Sequence, residues 1–145
     1  MHSEISPVLA WAILRLTYGW IFLAPLKGLL KNWKGSVALV KILTPWPWAK
    51  NLAALGAGLM ILVMIFGSLG IILGIEGRLA GFLLMIYSLF GIRVHFQLAK
   101  QAMKQEGSDS LGVVGNITSG QKNVVLAGVG AFFMLMGTGP LSFIY

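Results

Sequence analysis

The sequence predicts an all-α protein, a transmembrane four-helix bundle, and three observations carry that prediction. Of the 145 residues, 57% are hydrophobic and only 10% charged, against about 45–50% and about 25% in soluble domains. The apolar residues fall in four stretches, at 7–30, 51–75, 79–98 and 123–145, each near the length a helix needs to cross about 30 Å of hydrocarbon. Most Lys and Arg residues sit between those stretches or at their ends. With a mean hydropathy of +0.85 there is too little polar side chain to cover a water-soluble globule, so residues 1–145 read as one membrane-spanning domain.

Span one carries Arg15 and Lys27, and because the chain opens Met1-His2-Ser3-Glu4 without a basic region it does not read as a cleavable signal peptide. Span two has no charged side chain, span three is charge-free until Arg93 and His95 near its end, and span four carries no charge. Lys27, Lys31, Lys34, Lys41 and Lys50 separate spans one and two without an acid. Arg93, Lys100, Lys104 and Lys122 separate spans three and four against Glu106 and Asp109. Short loops rich in Lys and Arg stay in the cytoplasm, so both termini are expected outside and both long loops inside, in the plasma or inner membrane. The net charge of +7 is then topology, and no nucleic acid is expected as a partner.

Within the first loop, Val37, Leu39, Val40, Ile42 and Leu43 lie among lysines over 34–43, which predicts a short amphipathic segment at the interface. Pro45 and Pro47 end it. Trp33, Trp46 and Trp48 are expected at headgroup level, where an indole buries its ring and keeps its N–H wet. The second loop, 105–120, is rich in Gly and Ser and reads as a mobile or hairpin-like connector.

The inventory for chemistry is thin. Cysteine is absent, which excludes disulfides, thiolate metal sites and cysteine-held clusters within this chain. His2 and His95 form no metal set, no carboxylate pair lies inside a span, and a bis-histidine haem is excluded. Small residues at helix-contact spacing, Gly70 with Gly74, Gly77 with Gly81, and Ala127 with Ala131, let backbones approach and build the bundle. On span three, Tyr87, Gly91 and His95 share one helix face at i, i+4 and i+8, with Arg93 close by. There His95 and Tyr87 would bond the carbonyls of a quinone headgroup, or of a lipid, in the room left by Gly91. At the opposite membrane face, a structural ion pair is expected, either Arg15–Glu76 or Arg78–Glu76, that lowers the cost of burying the charge.

At this point a resemblance enters. Arg15-Leu16-Thr17-Tyr18-Gly19-Trp20-Ile21-Phe22 followed by Lys27, then Gly74-Ile75-Glu76-Gly77-Arg78-Leu79-Ala80, then His95, together resemble the DoxX/DoxD family. Pro45-Trp46-Pro47-Trp48 is similar to the Pro-x-Pro-Trp of the DoxD branch, and Gly137-Thr138-Gly139-Pro140-Leu141-Ser142 resembles the family's closing turn. The resemblance implies a four-helix membrane protein, known in one branch as the small subunit of a thiosulfate:quinone oxidoreductase. Met64 stands where the family carries a span-two Glu, a departure that points to an accessory rather than a complete enzyme.

The expectation is therefore a small accessory subunit of a quinone-linked or respiratory oxidoreductase complex. It would not be catalytic on its own, and its company would be other membrane subunits, lipid and a quinone. The alternatives are a thiosulfate:quinone oxidoreductase-type subunit that contributes the quinone site, and a small transporter, which needs mid-membrane polar groups that spans two and four lack.

Overall fold

The computed structural model describes residues 2–44, 46–107 and 110–140, with side chains from Pro7 onward. Pro45, Asp109 and the 141–145 end of the fourth expected span, including Ser142, lie outside the described residues. Those described form helices α1 (His2–Leu23), α2 (Leu26–Lys31), α3 (Trp33–Leu43), α4 (Ala53–Leu73), α5 (Gly77–Glu106) and α6 (Leu111–Met136), with a 3₁₀ turn over Pro47–Leu52 leading into α4. Three segments among them are long and apolar enough to cross a membrane: Pro7–Lys31, Pro47–Leu73 and Gly77–Glu106. They coincide with the first three expected spans.

The fourth expected span and the second loop come out differently. α6 starts at Leu111, inside the stretch that reads as a connector, and ends at Met136. Gly137 (φ 72°) and Gly139 (φ 73°) then turn the chain through backbone conformations that favour glycine. An 18-residue apolar helix does not fit α6, because its first half holds Asn116, Thr118, Ser119, Gln121, Lys122 and Asn123.

Packing against α5 is what makes residues 111–123 helical in spite of their composition. Ser110 caps the helix, its hydroxyl accepting from the Val113 N–H at 3.1 Å. The two helices then run antiparallel along their whole lengths: Gly112 lies beside Ala102, Gly120 beside Phe96, Gly91 beside Asn123, and Gly81 beside Gly130 and Met134. At the Gly81–Gly130 contact, a Cβ on Gly81 would lie 2.6 Å from the Met134 nitrogen and 2.8 Å from the Gly130 oxygen. Both neighbours are main chain, so two glycines are what permit this approach.

The other helices pack on that hairpin. α4 lies antiparallel to α5, with Gly67 against Leu84 and Gly70 against Ala80, and Gly19 of α1 sits on Ile72 and Ser68 of α4. Tyr18, Phe22, Met64, Ile71, Ala80, Leu84, Leu126 and Phe133 form the buried core. Aromatic contacts tie α1 to α5 and α6: Phe22 meets Tyr87 edge-on at 5.7 Å, and Trp11 stacks on Phe132 at 5.3 Å.

The first loop is ordered as a corner. Asn32 ends α2, and its side chain accepts from the Gly35 N–H to open α3. Val40 of α3 meets α4 at Gly56 and Trp33 meets it at Gly58. These contacts are seven residues apart on α3 and two apart on α4, so α3 lies across the end of α4 rather than along it. The expected amphipathic segment over 34–43 is thus a helix. Thr44, whose ψ of 113° is the extended geometry favoured before proline, ends it.

Candidate functional site

The stripe on α5 faces its neighbours, not open space. Tyr87 is partly buried against the core and against Phe22. The room that Gly91 leaves is taken by Asn123, whose amide would stand 2.8 Å from an added Cβ; no gap for a ring remains at this point of the helix interface. His95 Nδ1 lies 3.1 Å from Asn116 Oδ1, while Asn116 Nδ2 donates to the Gly112 carbonyl at 2.8 Å. With the amide nitrogen committed to Gly112, the oxygen faces the ring, so Nδ1 is the donor in this contact and Nε2 is the ring nitrogen turned away from it. Arg93 is exposed on the same turn of helix. Tyr87, Gly91 and His95 therefore do share a face, but that face is largely filled from α6.

At the other end, Arg15 is 5% exposed and lies level with the end of α4. Its Nε donates to the Ile71 carbonyl at 2.9 Å and its Nη2 to the Ile72 carbonyl at 2.8 Å. The reason lies in how α4 stops. Gly74, in the left-handed conformation, and Ile75 both donate to the Gly70 carbonyl, a turn that leaves the next carbonyls of the last turn facing outward without intrahelical donors. A guanidinium fork fits that pair and sits at the negative end of the helix dipole. Glu76 and Arg78, the expected ionic partners, are both exposed, and the described partners of Arg15 are helix-end carbonyls instead of the Glu76 carboxylate.

Several interior residues carry no signal in the sequence beyond their type. Tyr18 donates to the Leu126 carbonyl at 2.8 Å, and Gly130, one helical turn on, leaves the phenol room to reach it. The fully buried Ser68 and Ser88 each donate back to the carbonyl four residues earlier, Met64 and Leu84, which satisfies a hydroxyl within its own helix. Asn116 is the residue that a reading of 105–120 as a connector passes over, and Asn123, the first residue of the expected fourth span, is the one that fills the space at Gly91.

Two shallow cavities lie on the outside. One of about 260 Å³ runs between α4 and α5 and is lined by apolar residues and Glu76. The other, about 340 Å³, lies beside Leu14, Val125, Gly128, Val129 and Phe132 between α1 and α6. No group of three or more His, Asp or Glu side chains able to hold a metal ion occurs among the described residues. No family model, curated protein or solved structure matches the chain.

Proposed function

We propose that the chain is a four-helix transmembrane bundle serving as a small accessory subunit of a quinone-linked, respiratory-type oxidoreductase complex in the plasma or inner membrane. The observation that carries this reading is the employment of the interior polar groups. Arg15, Tyr18, Ser68 and Ser88 donate to main-chain carbonyls of the chain itself, and His95 is held by Asn116. Side chains used to brace helices supply architecture, and the redox centre then belongs to a partner.

Three further points support it. α6 lies along the whole of α5, so a bilayer crossed by α5 is crossed by α6 beside it. In the most apolar 18 residues of these three segments only 22%, 33% and 22% are buried within the chain, which leaves their outer faces to lipid or to other helices. The resemblance to the DoxX/DoxD family implies the same setting.

A contribution to quinone binding is the second reading, and one observation favours it: with Nδ1 bonded to Asn116, Nε2 is the ring nitrogen left for a headgroup, next to the exposed Arg93. Such a headgroup would lie at the outer edge of the stripe, since Asn123 fills the space at Gly91.

Native mass spectrometry of the endogenous protein, extracted in mild detergent, tests both. A heteromeric assembly that includes a redox subunit is the expected result, and a lone monomer or bare homo-oligomer sinks the accessory reading. Quinone retained by the wild type and lost by His95→Ala supports the second reading; retention by both removes His95 from it.

A further inference from the structure

The corner formed by α2, α3 and the 3₁₀ turn has a surface unlike the rest of the molecule. Lys27, Lys31, Lys34, Lys41 and Lys50 are all exposed, and no Asp or Glu occurs between Glu4 and Glu76. Interleaved with these cations are exposed apolar groups: Leu30, Trp33, Ile42, Trp46 and Trp48, the last two at 59% and 69% and stacked on each other at 6.4 Å. Lys34 and Lys41 are two turns apart on α3 and so project from one side of it. Val40 and the partly buried Leu43 on the other side face the chain.

The position of this surface matters as much as its composition. α3 lies across the end of α4, where the apolar stretch of that helix begins, which is the depth of lipid headgroups if α4 crosses the bilayer. Indoles and lysine ammoniums at that depth are suited to a layer that is apolar below and anionic above. A soluble acidic partner would match the lysines but would leave the two exposed indoles and Ile42 without an apolar counterpart.

We infer that the corner of α2, α3 and the 3₁₀ turn is a binding surface for anionic phospholipid, with the lysines taking the phosphate diester and Trp46, Trp48 and Ile42 resting on the upper acyl chain. This rests on the membrane-spanning reading and adds a headgroup preference to it. The lysines give the preference its sign, and one cation close to an anionic headgroup sets its scale, since such a contact strengthens association about fivefold. The lysines of the α5–α6 hairpin, Lys100, Lys104 and Lys122, have no tryptophan beside them in the sequence and are not part of the surface.

The test uses the full chain in nanodiscs of phosphatidylcholine and phosphatidylglycerol in equal amounts, with the lipids that remain bound counted by native mass spectrometry. Flotation with pure phosphatidylcholine vesicles is run alongside, because failure there speaks against the membrane reading and not against the headgroup preference. The wild type is expected to retain phosphatidylglycerol over phosphatidylcholine at a ratio of about five to one, against one to one in the bulk. Lys31→Gln/Lys34→Gln/Lys41→Gln is expected to fall to the bulk ratio, and Lys104→Gln/Lys122→Gln to keep the preference. No enrichment in the wild type, or loss only in the hairpin variant, overturns the inference. A second reading needs no charge change: chain-brominated phosphatidylglycerol should quench tryptophan fluorescence more than chain-brominated phosphatidylcholine, and the difference should vanish in Trp46→Phe/Trp48→Phe. Equal quenching by the two lipids also overturns it.

Discussion

Arg15 is where a single side chain decides how two helices join. Its Nε and Nη2 donate to adjacent carbonyls at the end of α4, and a lysine at this position keeps the charge but lacks the planar fork. Arg15→Lys is therefore expected to lower stability by about 1.5–3 kcal/mol, the usual worth of a hydrogen bond to a charged group, seen as a lower unfolding midpoint in detergent. An unchanged midpoint would show that the fork is not needed. A partner for Arg15 is legible from the sequence, because a buried arginine must have one. Its identity is not, since a carbonyl is present at every residue and only the way α4 stops at Gly74 makes those of Ile71 and Ile72 available. Glu76, the more visible candidate, is carried outward by its own backbone, with φ at 47°.

Among the elements, the α5–α6 hairpin rests on contact between main chains. Gly81→Ala places a methyl against the Met134 nitrogen and the Gly130 oxygen, so the helix axes must separate, at a cost of about 1–3 kcal/mol or more. Gly115 has nothing within 4 Å of an added Cβ, and Gly115→Ala is expected to be neutral or to stabilise by up to about 1 kcal/mol through helix propensity. Chemical unfolding of the two variants side by side checks the contrast; equal behaviour would mean that the close approach contributes nothing. The long charge-free run of α4 is legible as a helix because nothing competes with its apolar character. Residues 111–123 are not legible in that way, because Gly112, Gly115, Gly120 and their polar neighbours favour a loop by propensity. Val113, Gly120 and Ala127 do recur at seven-residue spacing and are all buried, but a period written in small residues is faint until the partner helix is known. The stripe of Tyr87, Gly91 and His95 is legible as a face, while its pairing with Asn123, the first residue of the expected fourth span, is set by the antiparallel register of α5 and α6 and is not.

For the whole molecule, antiparallel packing sets which residues share an end. The start of α4 and the corner before it lie at the same end as the close of α5 and the opening of α6, so both lysine-rich segments are together, and Glu76 and Arg78 are at the other. Single cysteines at 41 and 104 are expected to react with an impermeant thiol reagent from one side of the membrane and a cysteine at 78 from the other; labelling of 41 and 104 from opposite sides would break the arrangement. The same packing sets an order of assembly during synthesis. Tyr18 reaches its acceptor on Leu126 only after a further 108 residues have been made, which at about 5–20 residues per second is a wait of roughly 5–20 s. During that interval the first helix has neither its hydroxyl partner nor the Phe133 ring beside it. A nascent chain halted before α6 would thus expose the inner face of α1, a state that a membrane quality-control protease can recognise and the finished protein does not offer.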